Sequence, residues 1–251
     1  MPKILENIVG EIFPTNKYGL AEVIKYQGSK EVTIKFVNTN STKVVSLGHL
    51  RKGLVQDNFA KSCYGVGYIG ETSTSHDGKH KSAYVLWKDM LKRCYQTEYQ
   101  ESHLCYIGCE VSDEFKCFAN FEIWCDQQQG FNEKGFRLDK DILFKDNKIY
   151  SRNTCCFVPQ EVNGLFIRQV RRRGDYPLGV SLAKDTGKFK ARISYESVCK
   201  HLSVHDTPEQ AFQAYKQAKE SYIKEVAEKW KENIDPRVYE ALMNWTVEIN
   251  G

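Results

Sequence analysis

Leu178-Gly179-Val180-Ser181-Leu182-Ala183-Lys184-Asp185-Thr186-Gly187-Lys188-Phe189-Lys190-Ala191-Arg192-Ile193 is the stretch from which the fold is read. Its end alternates strictly, so Phe189, Ala191 and Ile193 share one face of a strand and Lys188, Lys190 and Arg192 the other. Asp185-Thr186-Gly187 before it reads as a hairpin turn, with the glycine supplying a positive φ. A third strand and a helix follow. Thr207 caps that helix, Pro208 fits its first position, and Gln210 is placed to reach back as in a capping box. Ala211, Ala214, Tyr215, Ala218, Tyr222 and Val226 recur at helical spacing as its packing face. Residues 171–251 are therefore expected to form a three-stranded antiparallel sheet packed on a helix, with C-terminal helices.

The cations of this unit share a strand face at about 7 Å intervals, close to the phosphate spacing of a nucleic-acid strand. A sheet ribbon can enter the major groove, where Arg reads guanine edges and Lys binds phosphate. A solubilising outer face is the plainer alternative. Three cations without an intervening acid, after the Arg171-Arg172-Arg173 triplet, favour double-stranded DNA. Lys184 and Lys200 join the candidate contacts. The net charge is only +4, so the signal lies in this local block rather than in the whole chain.

The pattern LGVSLAKDTGKFKARI…HDTPEQAFQAYKQAKE resembles the plant ethylene-response-factor DNA-binding domain over about Tyr176 to Glu220. That family has a Gly-Val strand start, a second strand of the form Lys-x-x-Ala-x-Ile and a Thr-x-Glu-x-Ala-x-x-Ala-Tyr helix. The resemblance implies that the sheet enters the major groove with the helix behind it, which supports Lys188, Lys190 and Arg192 as contacts.

Upstream, RLDKDILFKDNKIYSRNTCCFVPQEVNGLF reads as a strand (Arg137 to Leu143), a polar turn, a second strand (Thr154 to Val158) and a short helix after Pro159. Asp139 and Asp141, two residues apart, are expected on one strand face as hard-oxygen ligands, with Asn163 approaching from the helix. Few protein oxygens completed by water and phosphate is the magnesium pattern. Solvated carboxylates in a turn-rich segment are the bland reading. The segment resembles the ββα-metal core of HNH endonucleases in the variant common in bacteriophage genomes, often followed by a DNA reader of the kind just described. AYVLWKDMLKRCY and VSDEFKCFANFEIW resemble the regions before that core, and the likeness extends more weakly to the N-terminal barrel.

By that resemblance Asp139 takes the metal-ligand position, Asn153 the central Asn and Asn163 the last ligand, with Mg²⁺ or Mn²⁺ as cofactor. The residue after the ligand Asp is normally a histidine general base; here it is Lys140. A lysine near its solution pKa of ~10.4 is protonated at neutral pH and takes no proton. It can instead bind the scissile phosphate, leaving base work to Asp141, a metal-activated water, or His76, His80 or His103. The equal alternative is a centre that has lost its chemistry and kept its fold as a DNA clamp. Arg93, on the preceding helix, is a phosphate-contact candidate, with a structural ion pair as the alternative.

The rest of the chain frames these two modules. Residues 1–60 read as short strands, including Ala21–Tyr26 and Glu31–Phe36, where Val32, Ile34 and Phe36 share a face. Five short strands in so little chain are expected to curl into a small β-barrel. Residues 61–170, the HNH-like module with added helices, carry a helix over Ser82–Tyr95. A second apolar stripe of Phe115, Phe118, Phe121 and Trp124 lies within Ser112–Gln128 and reads as core rather than a base-stacking platform. The polar loop Thr72–Lys81 is basic, and phosphate contact and simple solvation are equally open.

An α+β multidomain protein is the result. No apolar run nears the ~20 residues that span a bilayer. The N-terminus lacks a secretory pattern, so the expectation is a cytoplasmic protein, in the bacterial host if phage-encoded. The nine cysteines lack paired zinc-site spacing, and no structural zinc is expected. The leading expectation is a metal-dependent DNA endonuclease or nickase; its rivals are a catalytically inactive DNA-binding regulator and a protein-binding adaptor acting through the N-terminal barrel.

Overall fold

The structure, a computed structural model, describes residues 8–166, 176–195 and 198–249. The chain divides into two compact units: Met1–Asp126 with Lys148–Arg152, and Gln127–Asn147 with Asn153–Gly251. It is a mixed α+β protein. The Arg171-Arg172-Arg173 triplet lies outside the described residues.

The first unit opens with β1 (Ile12–Pro14), β2 (Leu20–Gly28), β3 (Glu31–Phe36) and β4 (Thr42–Val45), antiparallel and in that order. Val32, Ile34 and Phe36 alternate inward and are buried with Ala21 and Val23, as a period of two requires. Register shifts after Val23 and Tyr26 coil the sheet. Among the described residues β1 and β4 remain its two edges, and the expected small barrel does not close. Helix α1 (Leu47–Arg51), capped by the Ser46 side chain, instead lays Leu47 and Leu50 over the inner face beside Ile8 and Val55. Asp57, fully buried, accepts from Thr39 Oγ1 (2.6 Å), Ser41 Oγ (2.8 Å) and the Phe59 amide (2.9 Å), which fixes the chain leaving the sheet.

A hairpin of β5 (Ser75–His76) and β6 (Lys79–His80) precedes the helical region of α2 (Ser82–Tyr95), α3 (Thr97–Ser102), β7 (Glu110–Val111), α4 (Asp113–Lys116) and α5 (Phe118–Asp126). In α2 the expected Trp87, Met90, Leu91 and Cys94 are buried. Phe115, Phe118, Phe121 and Trp124 are all core. They sit, however, on two helices, because Cys117 is extended between them. The break admits residues 68–69: the Phe118 amide donates to Tyr68 O and the Ala119 amide to Ile69 O. Backbone pairing there replaces one helical turn.

In the second unit, β8 (Phe136–Asp139) is followed by β9 (Ile149–Tyr150), which belongs to the first unit and pairs parallel with β7. β10 (Cys156–Pro159) then pairs antiparallel with β8, and α6 (Gln160–Gly164) follows directly. β11 (Val180–Ala183), β12 (Lys188–Tyr195) and β13 (Val198–His205) form an antiparallel sheet in that order. It packs on the 23-residue helix α7 (Pro208–Trp230), and α8 (Pro236–Met243) closes the unit. The Thr207 side chain accepts from the Gln210 amide, the cap that the sequence signals. Gly179 has φ +73°, and a Cβ there would lie 2.1 Å from the Tyr215 ring, so this glycine is what lets the sheet approach α7.

One apolar core runs through the second unit. Ile142, Cys156, Val158 and Val162 from the strand–strand–helix element cluster with Phe212, Ile223, Val226, Val238 and Leu242 from α7 and α8. Besides the expected stripe, α7 thus carries a second one, of Phe212, Ile223, Ala227 and Trp230. Among the described residues no helix is long and apolar enough to cross a membrane.

Candidate functional site

The outer face of the C-terminal sheet follows from its register. Ala191 and Ile193 are buried toward α7, so Lys190 and Arg192 point away from it. Lys188 and Arg192 are exposed and Lys190 half-buried. Lys188 pairs with Asp206 at 2.8 Å, and Lys190 stands 3.7 Å from Asp185; both pairs are open to water on at least one side and therefore weak. Among the described residues no acid pairs with Arg192. Lys184 is exposed in the β11–β12 turn.

Lys200 is exposed but lies opposite Ile193, on the other side of the sheet from Arg192. The cause is a bulge: Ala191 faces Ser203 and Arg192 faces His201, leaving Leu202 as the extra residue. His201 therefore joins the Arg192 row. Alternation alone could not show this, because one inserted residue inverts every later side chain.

Asp139 closes β8. Its Oδ1 accepts from the amides of Asp141 (2.7 Å) and Ile142 (2.8 Å), bending the chain out of the sheet. The strand thus ends four residues before the expected Leu143, and Asp139 and Asp141 do not share a strand face. β10 likewise begins at Cys156 rather than Thr154. Burial pushes the Asp139 carboxyl above the ordinary carboxylate range, against the two amides that hold it down. Among the described residues Oδ2 has no hydrogen-bond donor. Cys156, paired with Asp139, has its thiol pushed well up, first by burial and then by that carboxylate.

Lys140 is 5% exposed. Its amine is 2.5 Å from Asp141 Oδ1 and donates to Asn147 O at 2.9 Å, while Asn147 Nδ2 donates back to Lys140 O at 2.8 Å. This bracket closes the 140–147 loop and turns the lysine inward. Asn163 is half-buried on α6, which packs against β8 and β10. Its carboxamide makes no hydrogen bond among the described residues, and none links it to Asp139. Asn153 is exposed in the turn before β10.

A carboxylate oxygen and a carboxamide oxygen are hard donors that fit part of a magnesium shell completed by water and phosphate. Among the described residues no group of three His, Cys, Asp or Glu side chains could hold a metal ion without such help.

The remaining candidates belong to the first unit. Arg93 is half-buried, hydrogen-bonded to Tyr150 and 5.6 Å from the Tyr106 ring centroid, an internal role for its guanidinium. His76 pairs with Asp77, His80 packs on Tyr84, and His103 stacks on Tyr99. The Thr72–Lys81 segment, expected as a loop, contains a hairpin at residues 75–80 whose turn, Asp77-Gly78, has φ +49° and +74°. The Asp-Gly dipeptide was the available signal. Comparison of the chain with protein-family models, with curated proteins and with solved structures found no match in any of the three.

Proposed function

We propose that this protein binds double-stranded DNA through the outer face of the β11–β12–β13 sheet and nicks it at a divalent-metal centre of the HNH kind around Asp139. The observation that carries the reading is the cationic sheet face itself: Lys188, Lys190, Arg192 and His201 lie away from the helix that backs the sheet. A twisted ribbon backed by a helix presents that face to a groove, with Arg192 as the base-edge reader and the lysines on phosphate. Phosphate can replace Asp206 and Asp185 as their partners because those pairs are solvent-screened.

For the cutting step, Asp139 Oδ2 and the Asn163 carboxamide oxygen are the protein donors for magnesium or manganese. Held there, such an ion would supply positive charge at the scissile phosphate. Asp139 is held for that task by two backbone amides, which fix its free oxygen at the strand end. The Lys140–Asn147 bracket holds the loop that follows Asp139 in shape.

A second reading, a DNA-binding regulator that does not cut, rests on one feature. Lys140, in the position where the resemblance expects a histidine base, is buried and turned inward onto Asp141 Oδ1 and Asn147 O. Supercoiled plasmid separates the two. The nickase reading expects retarded plasmid in EDTA and open circles with Mg²⁺ or Mn²⁺, lost in Asp139→Asn with binding kept. Retardation without open circles in any divalent metal supports the regulator. Absence of retardation refutes both.

A further inference from the structure

The hairpin Ser75–His80 has no apolar residue to bury, and two-residue strands gain little stability from their own ladder. It is nonetheless held at its root. Glu122, on α5, accepts from Thr72 Oγ1 at 2.8 Å and pairs with Lys81 at 2.7 Å, gripping both ends of the segment. The Lys81 amide donates to Thr74 O, and the His80 ring lies 5.1 Å from Tyr84. The Asp77-Gly78 turn sets the tip. A segment anchored in this way, with its tip in solvent, has its shape fixed for something outside the fold.

The adjoining helix indicates what that is. Lys88 and Lys92 lie four residues apart on α2 and so share one stripe, with Lys81 at the helix N-cap seven residues before Lys88. Lys88 and Lys92 are carried over aromatic rings, 5.8 Å from the Tyr84 centroid and 4.8 Å from that of Tyr99. Lys79 adds a cation on the hairpin, whose tip also carries His76, Asp77 and Gly78. Lys81 is neutralised by Glu122, so the free cations are Lys79, Lys88 and Lys92.

We propose that the hairpin tip and the α2 lysine stripe form a second DNA-contact surface that grips the phosphate backbone, distinct from the sheet that reads the groove. The two-stranded tip has the width to lie in a groove while the lysines follow a strand. The proposal rests on the reading that the chain binds DNA.

The test uses the full chain carrying Lys79→Glu, Lys88→Glu and Lys92→Glu, with circular dichroism as a fold control, and a second variant in which all three become Ala. Duplex affinity is measured from 50 to 300 mM salt. Loss of three phosphate contacts lowers the slope of log K against log salt by about 2.7, and affinity near 100 mM falls at least about tenfold. If the unaltered protein binds duplex and the folded variants match it in affinity and slope, the second surface is refuted and the DNA reading stands. If the unaltered protein does not bind duplex, both fall.

Discussion

Asp139 carries more than one duty, and its two neutral replacements separate them. Its Oδ1 satisfies the amides of Asp141 and Ile142, while burial disfavours its charge and raises its pKa. The sign follows directly. A carboxyl whose folded pKa lies above its unfolded value favours the fold when protonated and loses that contribution as pH rises through the folded pKa. At neutral pH the buried charge therefore costs stability in the absence of a cation. Asp139→Asn keeps an acceptor for both amides and removes the charge, so its thermal midpoint at pH 7 should be no lower than that of the unaltered protein. Asp139→Ala strands both amides and should cost about 1–3 kcal/mol. Equal melting of the two variants would show that the amide bonds do not hold the turn. Lys140 makes the same point about local sequence: its position beside two acids was plain, but its inward turn depends on Asn147, seven residues on, which no spacing rule links to it.

Among the elements, those set by local periodicity were legible and those set by long-range pairing were not. Helix α2, the capped start of α7 and the β11–β12 hairpin all follow from spacing, a capping Thr and a turn glycine. The break at Cys117 was hidden because residues 68–69 come from far up the chain to pair there. The bulge at Leu202 was hidden because nothing in the alternation of β13 marks it. Among the described residues the N-terminal sheet keeps two open edges, and whether two edge strands pair is a long-range matter that local alternation does not set. Gly179 gives a test at this scale. With a positive φ and the Tyr215 ring at 2.1 Å from a modest Cβ, Gly179→Ala should destabilise the C-terminal sheet by more than about 2 kcal/mol, through backbone strain and overpacking together. A chemical-denaturation midpoint unchanged from the parent would contradict that packing.

Across the whole second unit, the strand–strand–helix element and the C-terminal sheet share one core through α7. The contacts at its far end are specific: Trp230 Nε1 and Lys229 Nζ donate to Glu161 on α6 at 2.8 and 2.7 Å, and the Trp230 ring meets Phe136 of β8 edge-on. Glu161 is held below the ordinary carboxylate range, its partial burial outweighed by these two donors. Ile223, 1% exposed, lies in the cluster common to both parts. Ile223→Ala should cost about 2–5 kcal/mol, and hydrogen exchange should quicken together at Val158 in β10 and Ala191 in β12. Faster exchange in β12 alone would mean that the two parts unfold separately.

That core sets a cationic sheet and the Asp139 turn in one folded body, so DNA binding by the sheet comes before any cutting at Asp139. The most direct measurement is duplex affinity as a function of salt for the full chain and for Lys188→Glu, Lys190→Glu, Arg192→Glu combined, with EDTA present to exclude cutting. Binding by the unaltered protein, with a steep salt dependence that flattens by about 2.7 in slope and weakens at least about tenfold in the variant, is the predicted result. A folded variant that binds as tightly and with the same slope as its parent would contradict it.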